Sequence, residues 1–102
     1  MRVLVDSRPP SARGGYGLSI AEAEHRLRII ERLFSVATET PTSYTFWRNL
    51  VRTYAVQGVQ VHDARLVALM QAHSITHILT LNLADFVRYQ SLVVAMHPQA
   101  VP

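Results

Sequence analysis

The 102-residue chain contains no cysteine and no lysine. Without thiols there is no disulfide framework, no thiolate zinc site and no cysteine nucleophile, so any catalysis falls to carboxylates, hydroxyls or histidines. Long apolar runs are missing too. None reaches the ~18 residues of a membrane span, and the opening MRVLVDSRPP has no secretory apolar region. A cytoplasmic protein with no membrane partner is expected. No internal repeat or low-complexity segment is found, and the length excludes two independent domains, so residues 1–102 read as one domain. A chain this short buries only about two-thirds of its unfolded surface, which leaves little stability to spare and favours a partner subunit.

The charge that is present is of one kind on the basic side. All ten cations are arginine, against four Glu and three Asp, for a formal net charge of +3. A guanidinium fork suits phosphate oxygens, but codon bias in a GC-rich genome is the better explanation of the missing lysine, because a total absence is a compositional effect rather than a patch. Eight of the ten arginines precede Gly58; the remainder sets Arg65 and Arg88 against Asp63 and Asp85 and is formally neutral.

Turn formers concentrate in residues 7–17, SRPPSARGGYG, which predicts a loop separating the short apolar start Met1 to Val5 from the rest. Ser19-x-x-Glu22 is a capping box, and Ile20, Ala23, Leu27, Ile30 and Phe34 follow at helical spacing. An apolar stretch from Phe34 to Ala37 predicts a short strand. Thr40 and Pro41 form an N-cap and first-turn proline ahead of the stripe Tyr44, Trp47, Leu50, Val51, Tyr54. Those rings lie on an apolar face, so they read as core or dimer surface rather than as a base-stacking platform. Gly58 ends that region. A third helix carries Leu66, Leu69, Met70 and His73 and ends near Ser74, HILTLN has the length and apolarity of a covered parallel strand, and Leu92 to Met96 reads as another. Helices alternating with short buried strands predict an α/β sandwich with a largely parallel sheet.

The three aspartates, Asp6, Asp63 and Asp85, all fall at junctions between these elements. In an open α/β sheet, groups at the carboxyl ends of strands converge on one crevice, which brings Asn82 and Asp85 toward the start of the helix carrying Asp63. Clustered oxygen ligands of this kind hold Mg²⁺ or Mn²⁺. Each residue also has a structural explanation: Asp63 as an N-cap, Asn82 and Asp85 as turn residues opening a short helix at Phe86. The five histidines offer no pair one turn apart on a single helix, and His73, on the apolar stripe, reads as a satisfied core histidine.

The segment GVQVHDARLVALM, followed by HILTLNLADFVRYQSLVVAMHP, resembles the C-terminal half of a PIN domain, the fold of VapC-like toxin ribonucleases. Upstream, RPPSARGGYGLS, the helix beginning IAEAE, the strand near Phe34 and TPTSYTFWRNLVRTYAVQGVQVHD follow the same order, so the resemblance covers the chain from about Arg8 onward. It implies a three-layer sandwich with a short, mainly parallel sheet, and a metal-dependent endoribonuclease neutralised by a cognate antitoxin protein. The family's third acid falls on Asp63, and its strand-end motif on Thr80, Asn82, Asp85 and Phe86. The implied metal ligands are therefore Asp63, Asp85 and Asn82, with Mg²⁺ or Mn²⁺ as cofactor and RNA as substrate.

The departure is at the front, where little precedes the loop. In one reading, RVLV is the tail of a helix whose Glu, along with the family's first Asp, is missing. In the other, VLVDS is the opening strand and Asp6 the first acid. The first is preferred, since RVLVDSRP is close to the run that precedes a PIN glycine loop. It predicts a shortened product, a start assigned too late or a catalytically empty binding or dimerisation module. With at most three acids, weak metal binding and little ribonuclease activity are expected. A narrow sheet and the stripe Trp47, Leu50, Val51, Tyr54 predict a homodimer, with Met1 to Val5 entering the sheet of its own subunit or of its partner.

Overall fold

A computed structural model describes residues 3–6, 8, 21, 22, 25 and 38–100. Ala21, Glu22 and His25 have helical backbone, as the capping box predicts. The rest of that helix, the strand expected at 34–37 and most of the 7–17 loop lie outside the described residues.

Three short strands form the sheet: β1 (Val3–Val5), β2 (His77–Leu79) and β3 (Val94–Met96). They run parallel in the order β1-β2-β3, with Val5 opposite Leu79 and Leu79 opposite Met96. The preferred reading of RVLV as a helix tail is corrected here, since Val3–Val5 is a strand at one side of the sheet in its own subunit. The physical reason is alternation between two apolar faces. Leu4 and Ile78 belong to one buried cluster, against which Ala95 packs, and Val3 and Leu79 to another, joined by Val5 and Met96. β-branched residues at 3 and 5 fit that pleat better than a helix.

Both later strands are shorter than their apolar runs. Beyond the backbone bond of Thr80 to Met96, the Thr80 hydroxyl accepts the backbone N–H of Asn82 at 2.9 Å, and this local turn ends the ladder. Before Val94, the amides of Leu92 and Val93 both donate to the Tyr89 carbonyl, at 2.8 and 3.0 Å, and hold the chain in a turn.

Helix α1 (Pro41–Thr53) begins where Thr40-Pro41 predicts. The Thr40 hydroxyl accepts the Ser43 N–H at 3.0 Å, while Ser43 Oγ accepts the Thr40 N–H at 2.8 Å, so two orphan amides are satisfied reciprocally. A 3₁₀ turn (Gly58–Gln60) leads into α2 (Val61–Ala72), and α1 packs along α2. The Trp47 indole N–H donates to the Val61 carbonyl at 3.0 Å and pins the pair. Of the predicted stripe, Leu50 is buried and Trp47, Val51 and Tyr54 pack half-buried against the core, whereas Tyr44 is 57% exposed. His73 is half-buried at the end of α2, and its Nε2–H donates to the Thr38 carbonyl at 2.7 Å. Among the described residues, no helix is long and apolar enough to cross a membrane.

Neither helix is ended by glycine. Ala55 (φ 50°) and Ser74 (φ 55°) take left-handed backbone, and the next amides, Val56 and Ile75, reach back to the carbonyls of Val51 (3.0 Å) and Met70 (2.8 Å). These are Schellman closures with a buried apolar residue after each. An L-residue is strained at that position. Ala55→Gly and Ser74→Gly are therefore each expected to raise unfolding stability by about 0.5–1 kcal/mol. Urea denaturation checks this, and a loss of stability in both variants would refute it.

Candidate functional site

The register that aligns Val5, Leu79 and Met96 puts Asp6, Thr80 and His97 side by side at the carboxyl edge of the sheet, all three buried. Asp6 N–H donates to the Leu79 carbonyl at 2.8 Å, and Thr80 N–H to that of Met96 at 2.9 Å, so the edge continues the ladder by one bond.

Asp6 is 2% exposed, and an isolated carboxylate so buried would be very costly. Four hydrogen bonds compensate. Arg8 folds back over it: its backbone N–H and Nε donate to Oδ1 at 3.2 and 2.8 Å, and Nη2 donates to Oδ2 at 2.9 Å. The fourth donor is the Thr80 hydroxyl, 2.9 Å from Oδ2. The remaining arm of the guanidinium, Nη1, lies 2.8 Å from Asp63 Oδ1. One cation thus bridges the carboxylates of β1 and α2. Its own pKa is raised, chiefly by the hydrogen bond to Asp6.

Asp63 is not the N-cap of α2. That position is Gln60, which has helical backbone and makes no side-chain cap, and Asp63 sits within the first turn with its side chain nearly buried. Burial pushes its carboxyl above the usual aspartate value of 3.8; the hydrogen bond and charge of Arg8 pull it down, and Asp85 and Asp6 push it up. Asp63 therefore stands within electrostatic reach of both other aspartates.

Beyond β2, Asn82 precedes a 3₁₀ helix, Leu83–Tyr89, and its carbonyl accepts the Asp85 N–H at 3.0 Å. The first turn of this helix carries Asp85 into a polar cavity of about 180 Å³ lined by Gln60, Asp63, Ala84, Asp85, Arg88 and Tyr89. The structure thus brings Asp63 together with Asp85 in one cavity and with Asp6 through Arg8. Asn82 is buried at the strand end, its amide held by Thr80.

Among the described residues, no three His, Asp or Glu side chains gather as a ready-made metal cage. The donor chemistry nonetheless suits a hard cation. Two buried carboxylates already share one positive group, and Mg²⁺ is commonly held by one or two carboxylates with water and phosphate completing the shell. The Arg8 guanidinium lies between the two carboxylates.

Sequence reasoning passed over Arg8, which it counted as one more cation of a loop. The usable signal was its position two residues beyond a strand-end Asp. Arg88 and Tyr89 were missed because nothing in their spacing ties them to Asp63. Comparison with known protein families, curated proteins and solved structures finds no match.

Proposed function

We propose that this chain is a PIN-like domain of the VapC-like toxin type, a Mg²⁺- or Mn²⁺-dependent endoribonuclease, with RNA as substrate and with a cognate antitoxin protein and a second copy of the chain as partners. The observation that carries this reading is the cation shared by Asp6 and Asp63 at the carboxyl edge of a parallel sheet, with Asp85 in the adjoining cavity. Asp6 and Asp63 would hold the metal ion, with Asp85 and Asn82 beside it. The ion supplies polarisation of a phosphodiester and a water of lowered pKa. The chain's own residues fix the geometry: Thr80 orients Asp6, and the first turn of α2 orients Asp63. In the hydrolysis, a water oxygen forms a new bond to phosphorus as the bond to the leaving ribose oxygen breaks. One water proton ends on that leaving oxygen and the other in solvent.

A second reading, a module that binds without cutting, is favoured by the same guanidinium. A closed Asp6–Arg8–Asp63 bridge leaves the acids no need of a metal.

Calorimetry with Mn²⁺ and cleavage of single-stranded RNA separate the two. On the nuclease reading, Mn²⁺ binds weakly, RNA is cut slowly, and Asp63→Ala abolishes both while the fold is retained. Equal metal affinity in wild type and Asp63→Ala would sink the ligand assignment. Metal binding without cleavage would leave the binding module.

A further inference from the structure

Two observations in the cavity beside Asp63 are not used by the site as described. Tyr89 is fully buried, and its hydroxyl, which has the Arg88 guanidinium beside it, donates to no acceptor. A buried hydroxyl without a partner costs on the order of 1–3 kcal/mol, and in native proteins it marks a place where water, an ion or a ligand completes the shell. Arg88 stands at the same cavity, exposed, with Nη2 donating to the neutral side-chain oxygen of Gln60 at 3.1 Å. A guanidinium held by an amide oxygen keeps its full charge and donors for an anion.

The anion must also be tolerated next to carboxylates. Asp63 is paired with Arg8, so its negative charge is already compensated. A phosphodiester carries one negative charge and oxygens that accept from both a guanidinium and a hydroxyl. Arg88 supplies charge from the outer side and Tyr89 a donor from the inner side.

We propose that the cavity between α2 and the Leu83–Tyr89 helix is a phosphodiester subsite for single-stranded RNA, with Arg88 and Tyr89 as its positioning residues. This rests on the nuclease reading and adds to it where the strand is held.

The test is fluorescence anisotropy of a short single-stranded RNA against the full chain in EDTA, where hydrolysis is stopped, over a range of salt. Arg88→Ala is expected to weaken binding about tenfold and to lower the slope of log affinity against log salt by about one, the signature of a lost phosphate contact. Its Mn²⁺ affinity is unchanged. Tyr89→Phe is expected to weaken RNA binding several-fold with no change of slope, since a neutral hydroxyl releases no counter-ion. The same variant melts at a higher temperature without RNA, because the unpaired hydroxyl is gone. Inorganic phosphate competes only weakly if the subsite belongs to a strand, and fully if a lone phosphate satisfies it. If Arg88→Ala matches wild type in affinity and slope, or if Tyr89→Phe is less stable with RNA affinity intact, the subsite is wrong and the nuclease reading stands. Wild-type protein that binds neither RNA nor Mn²⁺ overturns both.

Discussion

Arg8→Gln is expected to make the stability of the protein depend on Mn²⁺. Arg8 contributes three hydrogen bonds to Asp6, two from its guanidinium and one from its backbone amide, and an ion pair to Asp63, and both carboxylates are buried. Glutamine keeps the backbone bond and much of the side-chain volume but removes the charge. Breaking a buried pair from one side leaves an uncompensated charge and costs about 3 kcal/mol. In chelator, therefore, the variant unfolds at markedly lower urea than wild type. Added Mn²⁺ supplies the missing positive charge, and at a hundredfold excess over its Kd it restores about 2.7 kcal/mol. The variant also binds Mn²⁺ at least about tenfold more tightly than wild type, because no resident cation has to leave. Arg8→Lys falls between, since an ammonium is a point charge that cannot bridge both carboxylates bidentately. Urea titrations in EDTA and in Mn²⁺ measure all three proteins. If Arg8→Gln is equally destabilised in both, the acid pair does not accept a metal ion and the guanidinium is purely structural.

This bridge also marks where sequence reasoning stops. The elements were legible wherever a local signal had a local cause. Thr40-Pro41 starts α1 because a hydroxyl and a missing N–H solve an end problem within four residues. HIL is a covered strand because its neighbours on both faces are apolar. The convergence of Asp63 with Asp85 was also foreseeable from strand-end geometry. Arg8 was not, because its role depends on a parallel register between residues 3–5 and 77–79, a separation no periodicity reports. For the same reason RVLV reads as a helix tail in the sequence, although Val3–Val5 is a strand. Three apolar residues carry no period of their own, and the pairing with β2 decides their conformation. The end of α2 near Ser74 is legible, whereas that of α1 is not, for a different cause. Gly58 looked like the stop, yet α1 closes at Ala55, where the buried contact of Val56 outweighs the strain of a left-handed alanine.

Thr80→Val is expected to be the most damaging near-isosteric change in the chain. Thr80 is wholly buried, and its hydroxyl does two things at once: it donates to Asp6 Oδ2 at 2.9 Å and accepts the Asn82 N–H at 2.9 Å. Valine fills the same space, so no cavity opens and no strand propensity is lost. What remains is a buried carboxylate short of one donor and a buried amide with no acceptor, each costing on the order of 1–3 kcal/mol. The sum is about 3 kcal/mol, a large share of the 5–15 kcal/mol that holds a domain of this size together. Thr80→Ser keeps both hydrogen bonds, loses one methyl and costs only about 1 kcal/mol. The contrast between the two variants in urea unfolding isolates the hydroxyl from packing. Wild-type stability in Thr80→Val would mean that Asp6 and the Asn82 amide find other partners. The functional consequence follows from the same two bonds. Thr80 ties the carboxylate of β1 to the turn that begins the Leu83–Tyr89 helix, so its loss frees Asp6 from one side of the site and Asp85 from the other. Mn²⁺ affinity should then fall in Thr80→Val and survive in Thr80→Ser, even though neither substitution touches a charged residue.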